Sequence, residues 1–100
     1  MYILIGGAGL VGLNLAQKLV ELGHTVAVID IDANACRYAR EQVGVMAFEG
    51  SAVSTETLIE AGIRKADSLA AVLRNDALNL ALVTLAKHYG VPHILSRMRH

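Results

Sequence analysis

The chain has 100 residues, of which 54% are apolar and 18% charged. That length suits one domain with a modest core, and the composition is too apolar for a disordered chain. Nine Lys and Arg balance nine Asp and Glu, with one Phe, three Tyr and no Trp, so a nucleic-acid partner lacks both the basic surface and the stacking platforms it would need.

The lone Cys36 excludes an intrachain disulfide framework or a cysteine-based zinc cluster and fits a reducing compartment. The first 17 residues carry no charge, but four glycines interrupt them and no basic residue precedes them. They read as neither a signal peptide nor a spanning helix, and no direct membrane insertion is expected.

Tyr2 to Ile5 is a β-favouring run that ends in glycines, the mark of a buried strand. Val11, Leu15, Leu19 and Leu22 then recur at helical spacing, and Gly23 closes that helix. Thr25 to Ile29 is the second strand. Asp32 can cap a helix running to about Val43, with Gly44 beyond it. Val45 to Phe48 is the third strand. Ser54 and Glu56 open a short helix to Ala61, closed by Gly62. Leu69 to Leu73 is the fourth strand. Asn75 or Asp76 opens a long helix to about Tyr89, with Gly90 after it. Val91 to Ser96 is the fifth strand, with Pro92 near its start. This alternation predicts an α/β fold, a parallel sheet covered on both faces and forming one domain over residues 1–100; as a Rossmann-like, doubly wound sheet, its five strands are expected in the order 3-2-1-4-5.

Gly7-Ala8-Gly9-Leu10-Val11-Gly12 satisfies G-x-G-x-x-G between the first strand and first helix. Asp30, at the end of the second strand, lies 18 residues past Gly12, close to the roughly 20 expected of a dinucleotide fingerprint. Gly7 would permit the tight turn, Gly9 the approach of a pyrophosphate, and Gly12 close helix–strand packing. Amides opening the helix would face the phosphates. Asp30 can accept both hydroxyls of the adenosine ribose and would repel a 2′-phosphate, which favours NAD or NADH over NADP. Gly6, Gly9 and Gly12 also fit G-x-x-G-x-x-G, which resembles the opening of extended short-chain dehydrogenases and epimerases. Those enzymes use a Tyr and a Lys one helical turn apart for proton transfer. Here Tyr2, Tyr38 and Tyr89 are followed at that spacing by Gly6, Gln42 and His93.

The second half carries a further pattern: Phe48-Glu49-Gly50-Ser51-Ala52, Leu58-Ile59-Glu60-Ala61-Gly62-Ile63, Ala66-Asp67, Ala71-Val72, Asn79-Leu80 and Ala86-Lys87. With the glycine turn, it resembles the N-terminal nucleotide-binding lobe of TrkA/KtrA-type potassium-transport regulators, also called RCK or KTN domains. The resemblance implies a regulatory domain that binds NAD or NADH, with ATP, ADP or AMP as alternatives. It also implies a homo-oligomer on the cytoplasmic face of a potassium channel or transporter, and a lobe that continues into a sixth strand. The other reading is the cofactor half of a small NAD-dependent oxidoreductase or epimerase. Leu10 stands where family members often carry Arg, Ser51 where they carry Asp, and Leu73 where they carry Thr; Arg97 is retained. The candidate site is therefore Gly7 to Gly12, Asp30, Ile31, Ser51, Ala52, Leu73 and Arg97, with no catalytic or metal-binding residue.

His24, His88, His93 and His100 show no metal-ligand spacing, Cys36 reads as a packed residue, and Arg97 with Arg99 is too small a patch for nucleic acid. In the helix from Asp76 to Tyr89, apolar residues cover most of the circumference. One sheet face cannot cover them all, so Leu78, Leu82 and Leu85 are expected at a subunit interface.

Overall fold

The computed structural model describes residues 1–97; Arg99 and His100 lie outside the described residues. Five parallel strands form one sheet in the order β3-β2-β1-β4-β5, the order expected of a Rossmann-like sheet. The strands are β1 (Tyr2–Gly6), β2 (Thr25–Asp30), β3 (Met46–Glu49), β4 (Ser68–Ala71) and β5 (His93–Ser96). The helices are α1 (Leu10–Glu21), α2 (Ala33–Tyr38, continued by a π-helical turn over Ala39–Val43), α3 (Thr55–Glu60) and α4 (Asp76–His88). Among the described residues no helix is long and apolar enough to cross a membrane.

Side chains alternate across each strand, so the sheet separates two cores. Leu4, Ile29 and Leu69 face Leu58, Ile63 and Leu82 on the α3–α4 side. Ile3, Ile5, Val26 and Val28 face Ala16 and Ala39 on the α1–α2 side.

Helix ends explain where the observed elements depart from the expected ones. Gly90 is left-handed (φ 77°), its N–H donates to Lys87 O, and Val91 N–H donates to Ala86 O. Gly23 and His24 repeat the arrangement after α1 on Val20 and Leu19, which is a Schellman closure. Val91 therefore belongs to a helix ending, Pro92 has no N–H to give a ladder, and β5 starts at His93 rather than Val91. Val45 likewise spends its N–H on Ala39 O, so β3 begins one residue later than expected. The three predicted caps hold: Asp32, Ser54 and Asn75 accept from Asn34, Thr57 and Leu78 amides respectively.

The interface expectation for α4 changes. Leu82 is fully buried in the sheet-facing core, where Gly6 makes room for it: a Cβ on Gly6 would come within 2.2 Å of a Leu82 methyl. Leu85 is half-buried against the same core. Leu78 and Leu80 are the exposed leucines of this helix. Polar residues cannot be assigned faces from an apolar run that covers most of a helix, and Asn79 proved to be on the buried side.

Candidate functional site

Strand register builds the site. Gly6 pairs with Ile29 on one side and Ala71 on the other, and Ala71 pairs with Ser96. The residues that follow, Asp30, Gly7, Val72 and Arg97, thus form a row across the C-terminal ends of β2, β1, β4 and β5. Three backbone bonds extend the ladder into this row: Gly7 N–H to Ile29 O (2.8 Å), Val72 N–H to Gly6 O (2.9 Å) and Arg97 N–H to Ala71 O (2.9 Å). A cleft of about 730 Å³ opens over it. Clefts at the carboxyl ends of the strands, where the connections diverge to opposite faces, are where open α/β sheets hold ligands.

The three glycines of the turn do different things. Gly7 has φ +117°, and a Cβ there would also press on Val72 O at 2.9 Å. At Gly12 a Cβ would sit 1.9 Å from Gly7 O, so α1 can lie this close to β1 only without a side chain. Gly9 has an ordinary φ of −78°, and a Cβ there meets nothing within 4 Å. Its missing side chain leaves open space rather than relieving strain. Gly9 caps α1 without a side-chain hydrogen bond, so the first amides of the helix are open to a ligand's oxygens.

Asp30 is engaged in the fold as well as available to a ligand. Its Oδ2 accepts from Ala8 N–H (2.8 Å) and its Oδ1 from Asp32 N–H (2.9 Å). The carboxylate therefore ties the glycine turn to the end of β2. A carboxylate oxygen has two acceptor sites, so each keeps one for a hydroxyl. Beneath it, the Cys36 Sγ–H lies 3.5 Å from Asp30 O. Burial, then the Asp30 charge, pushes the Cys36 thiol above its ordinary value, so it stays protonated and packed, as the sequence suggests.

Of the candidate residues, Gly7 to Val11, Asp30, Ile31, Leu73 and Arg97 line the cleft. Gly12, Ser51 and Ala52 do not. Gly12 sits behind the turn, and Ala52 is buried against Gly6. The Ser51 hydroxyl accepts from Val53 N–H (3.2 Å) within its own loop.

Sequence reasoning missed Asp32, Ala35, Val72 and Arg74, which also line the cleft, and the role of Asn79. Asn79 is fully buried. Its Oδ1 accepts from Leu73 N–H (2.8 Å), and its Nδ2 donates to Leu73 O (2.9 Å) and Arg97 O (3.2 Å). This amide takes Leu73 out of the expected fourth strand and clamps the ends of β4 and β5 to α4. A lone Asn inside an apolar helical run was the available signal, because a buried amide must find partners.

Residues 3–100 match the sequence profile of the TrkA-N domain. A Trk system potassium uptake protein TrkA homolog from Methanothermobacter thermautotrophicus is 36% identical over 98 residues, covering 98% of this chain and 45% of that protein. The chain thus spans about half the length of that relative. Among solved structures, the TrkA-N domain of inner membrane protein ybaL from Escherichia coli superposes with a TM-score of 0.91 at 26% identity, over 99% of this chain and 73% of that one. The fold is shared, at lower identity, with an AMP-bound Kef C-terminal domain from Shewanella denitrificans (TM-score 0.83, 24% identity, 97% of this chain and 58% of that one). It is shared also with the GsuK channel bound to NAD (TM-score 0.81, 23% identity, 97% and 18%). With its profile matched over nearly every residue, the chain belongs to the TrkA-N domain family.

Proposed function

We propose that the chain is a nucleotide-sensing regulatory domain that binds NAD or NADH and controls a potassium channel or transporter. The observation that carries this reading is the row of Asp30 and Gly7 beneath an open glycine turn. One carboxylate and one set of free amides stand a strand apart, as a ribose and its phosphate require. The pyrophosphate would lie against Gly9, Leu10 and Val11, and the adenosine ribose on Asp30. Relatives named as potassium uptake proteins, and fold neighbours solved with NAD and with AMP, support the same class of ligand and partner. An adenine mononucleotide is the alternative ligand.

Such a domain acts by differential affinity. A ligand that binds one arrangement of assembled lobes more tightly shifts the population toward it and biases the transporter. Assembly as a homo-oligomer at the cytoplasmic face of the membrane belongs to this reading. The oxidoreductase or epimerase alternative lacks its proton-transfer pair: among the described residues neither Tyr nor Lys lines the cleft, and the Tyr2 hydroxyl donates to Ala61 O (2.6 Å) away from it.

Calorimetric titration with NADH, NAD and NADP tests the proposal. NADP should bind more weakly than NAD, and Asp30→Ala should cost about 1–3 kcal/mol of NAD affinity through the lost hydroxyl bonds. Equal affinity of the wild type for NAD and NADP removes Asp30 from the ribose. Turnover of NADH with any small carbonyl substrate would favour the enzyme reading instead.

A further inference from the structure

We propose that Arg74, a residue the nucleotide fingerprint does not include, selects ligands that extend past the first phosphate and discriminates against a nucleoside monophosphate. The proposal rests on the nucleotide reading above and deepens it.

The cleft is electrically graded along the row of strand ends. Asp30 and Asp32 stand at the β2 end, Arg74 and Arg97 at the β4 and β5 ends. Three strand steps separate the ends of the row, about 14 Å at ordinary sheet spacing. A nucleoside monophosphate with its ribose on Asp30 and its phosphate at the glycine turn uses one of those steps and stops over β1. Anything attached to that phosphate continues over β4, where the chain leaves the sheet at Leu73 and Arg74.

Arg74 is equipped for that encounter. It is exposed, and among the described residues no carboxylate pairs with it. Its backbone neighbour Leu73 is held at both its N–H and its C=O by the buried Asn79, and Asn75 next to it caps α4. The guanidinium therefore hangs from backbone that is fixed on the cleft wall. Guanidinium can donate two parallel bonds to a phosphate. The carboxylates at the other end repel the same phosphate, so the gradient also sets the direction in which the ligand lies.

Titration of wild type and Arg74→Gln with AMP, ADP-ribose and NADH tests this. The wild type should bind ADP-ribose and NADH more tightly than AMP. Arg74→Gln should weaken ADP-ribose and NADH about tenfold and AMP less than about twofold, the loss expected of one charge-assisted phosphate contact. Arg74→Lys, which keeps the charge but not the fork, should recover part of the loss. An equal effect on all three ligands, or none, overturns the role of Arg74 while leaving the nucleotide site standing. Failure of the wild type to bind any of the three overturns the nucleotide reading and this proposal with it.

Discussion

Two glycines three residues apart in the same turn should fail in opposite ways when given side chains. At Gly12 an added methyl would stand 1.9 Å from the Gly7 carbonyl oxygen and 2.9 Å from its carbon. Both are backbone atoms of a turn fixed by Asp30, so no flexible side chain can move aside. Alanine gains about 0.5–1 kcal/mol over glycine inside a helix. Overpacking against backbone costs about 3 kcal/mol or more, because α1 must lift from β1. The net loss for Gly12→Ala is then about 2 kcal/mol, and the melting temperature should fall by about 8–16 °C for a domain this size. At Gly9 the backbone φ is −78° and the space beyond is open. Gly9→Val should cost no more than about 1 kcal/mol, the loss expected of a poorer N-cap. It should nevertheless abolish NADH binding, because its methyls fill the phosphate's approach. Thermal melts followed by circular dichroism, with calorimetry on the same samples, separate the two. A Gly12→Ala chain as stable as wild type would show that α1 does not depend on this close approach. A Gly9→Val chain with normal affinity would place the pyrophosphate elsewhere.

Asn79→Ala should cost about 2–4 kcal/mol in denaturant melts, since it strands the Leu73 amide and carbonyl and frees the Arg97 carbonyl; a loss below 1 kcal/mol would mean that water replaces the amide. Cys36 should react with thiol reagents in the native chain only as fast as the domain opens, and immediately in denaturant. Burial raises both the Cys36 thiol and the Tyr2 phenol above their ordinary values of 9.0 and 10.0. The unfolded chain gives up these protons first, so stability should be full below about pH 9 and decline as pH rises, read from melts at stepped pH. Sedimentation at micromolar concentration should show a homodimer, and Leu80→Glu, on the exposed side of α4, should convert it to monomer; a wild-type monomer unchanged by dilution refutes the interface.

Much of this molecule can be read from its residues because the controlling signals are local. The parallel α/β class follows from apolar runs alternating with helical ones, and the caps at Asp32, Ser54 and Asn75 are written as single residues with a known hydrogen-bonding habit. The acid end and the glycine turn of the cleft are likewise contiguous motifs. What stayed hidden depends on contacts across the chain. Asn79 could not be assigned a role until β4 and β5 were brought beside it, and Leu82 could not be separated from Leu80 when both lie in one apolar stretch. Arg74 has no motif; its place follows only from the register that puts the end of β4 next to the glycine turn. Strands β3 and β5 start one and two residues later than their apolar runs, because Val45 and Val91 serve a helix ending rather than a ladder.

The position of β1 bears on how the chain is made. Of the five strands this one is synthesised before the others, yet it occupies the middle of the sheet, with β2 on one side and β4 on the other. Ile3 pairs with Ser68, and the Tyr2 amide donates to the Asp67 carboxylate, 65 positions later. At ordinary ribosomal speeds of 5–20 residues per second, roughly 3–13 s pass between the two partners. Throughout that interval one edge of an apolar strand has no neighbour. The early β1–α1–β2 unit can dock through Gly12, but it cannot bury its second face or satisfy its open edge until the α3 and β4 segments appear. The nascent chain is thus most prone to mispairing while incomplete, and a chaperone that shelters unpaired strand would act on the first half of this sequence rather than on the second.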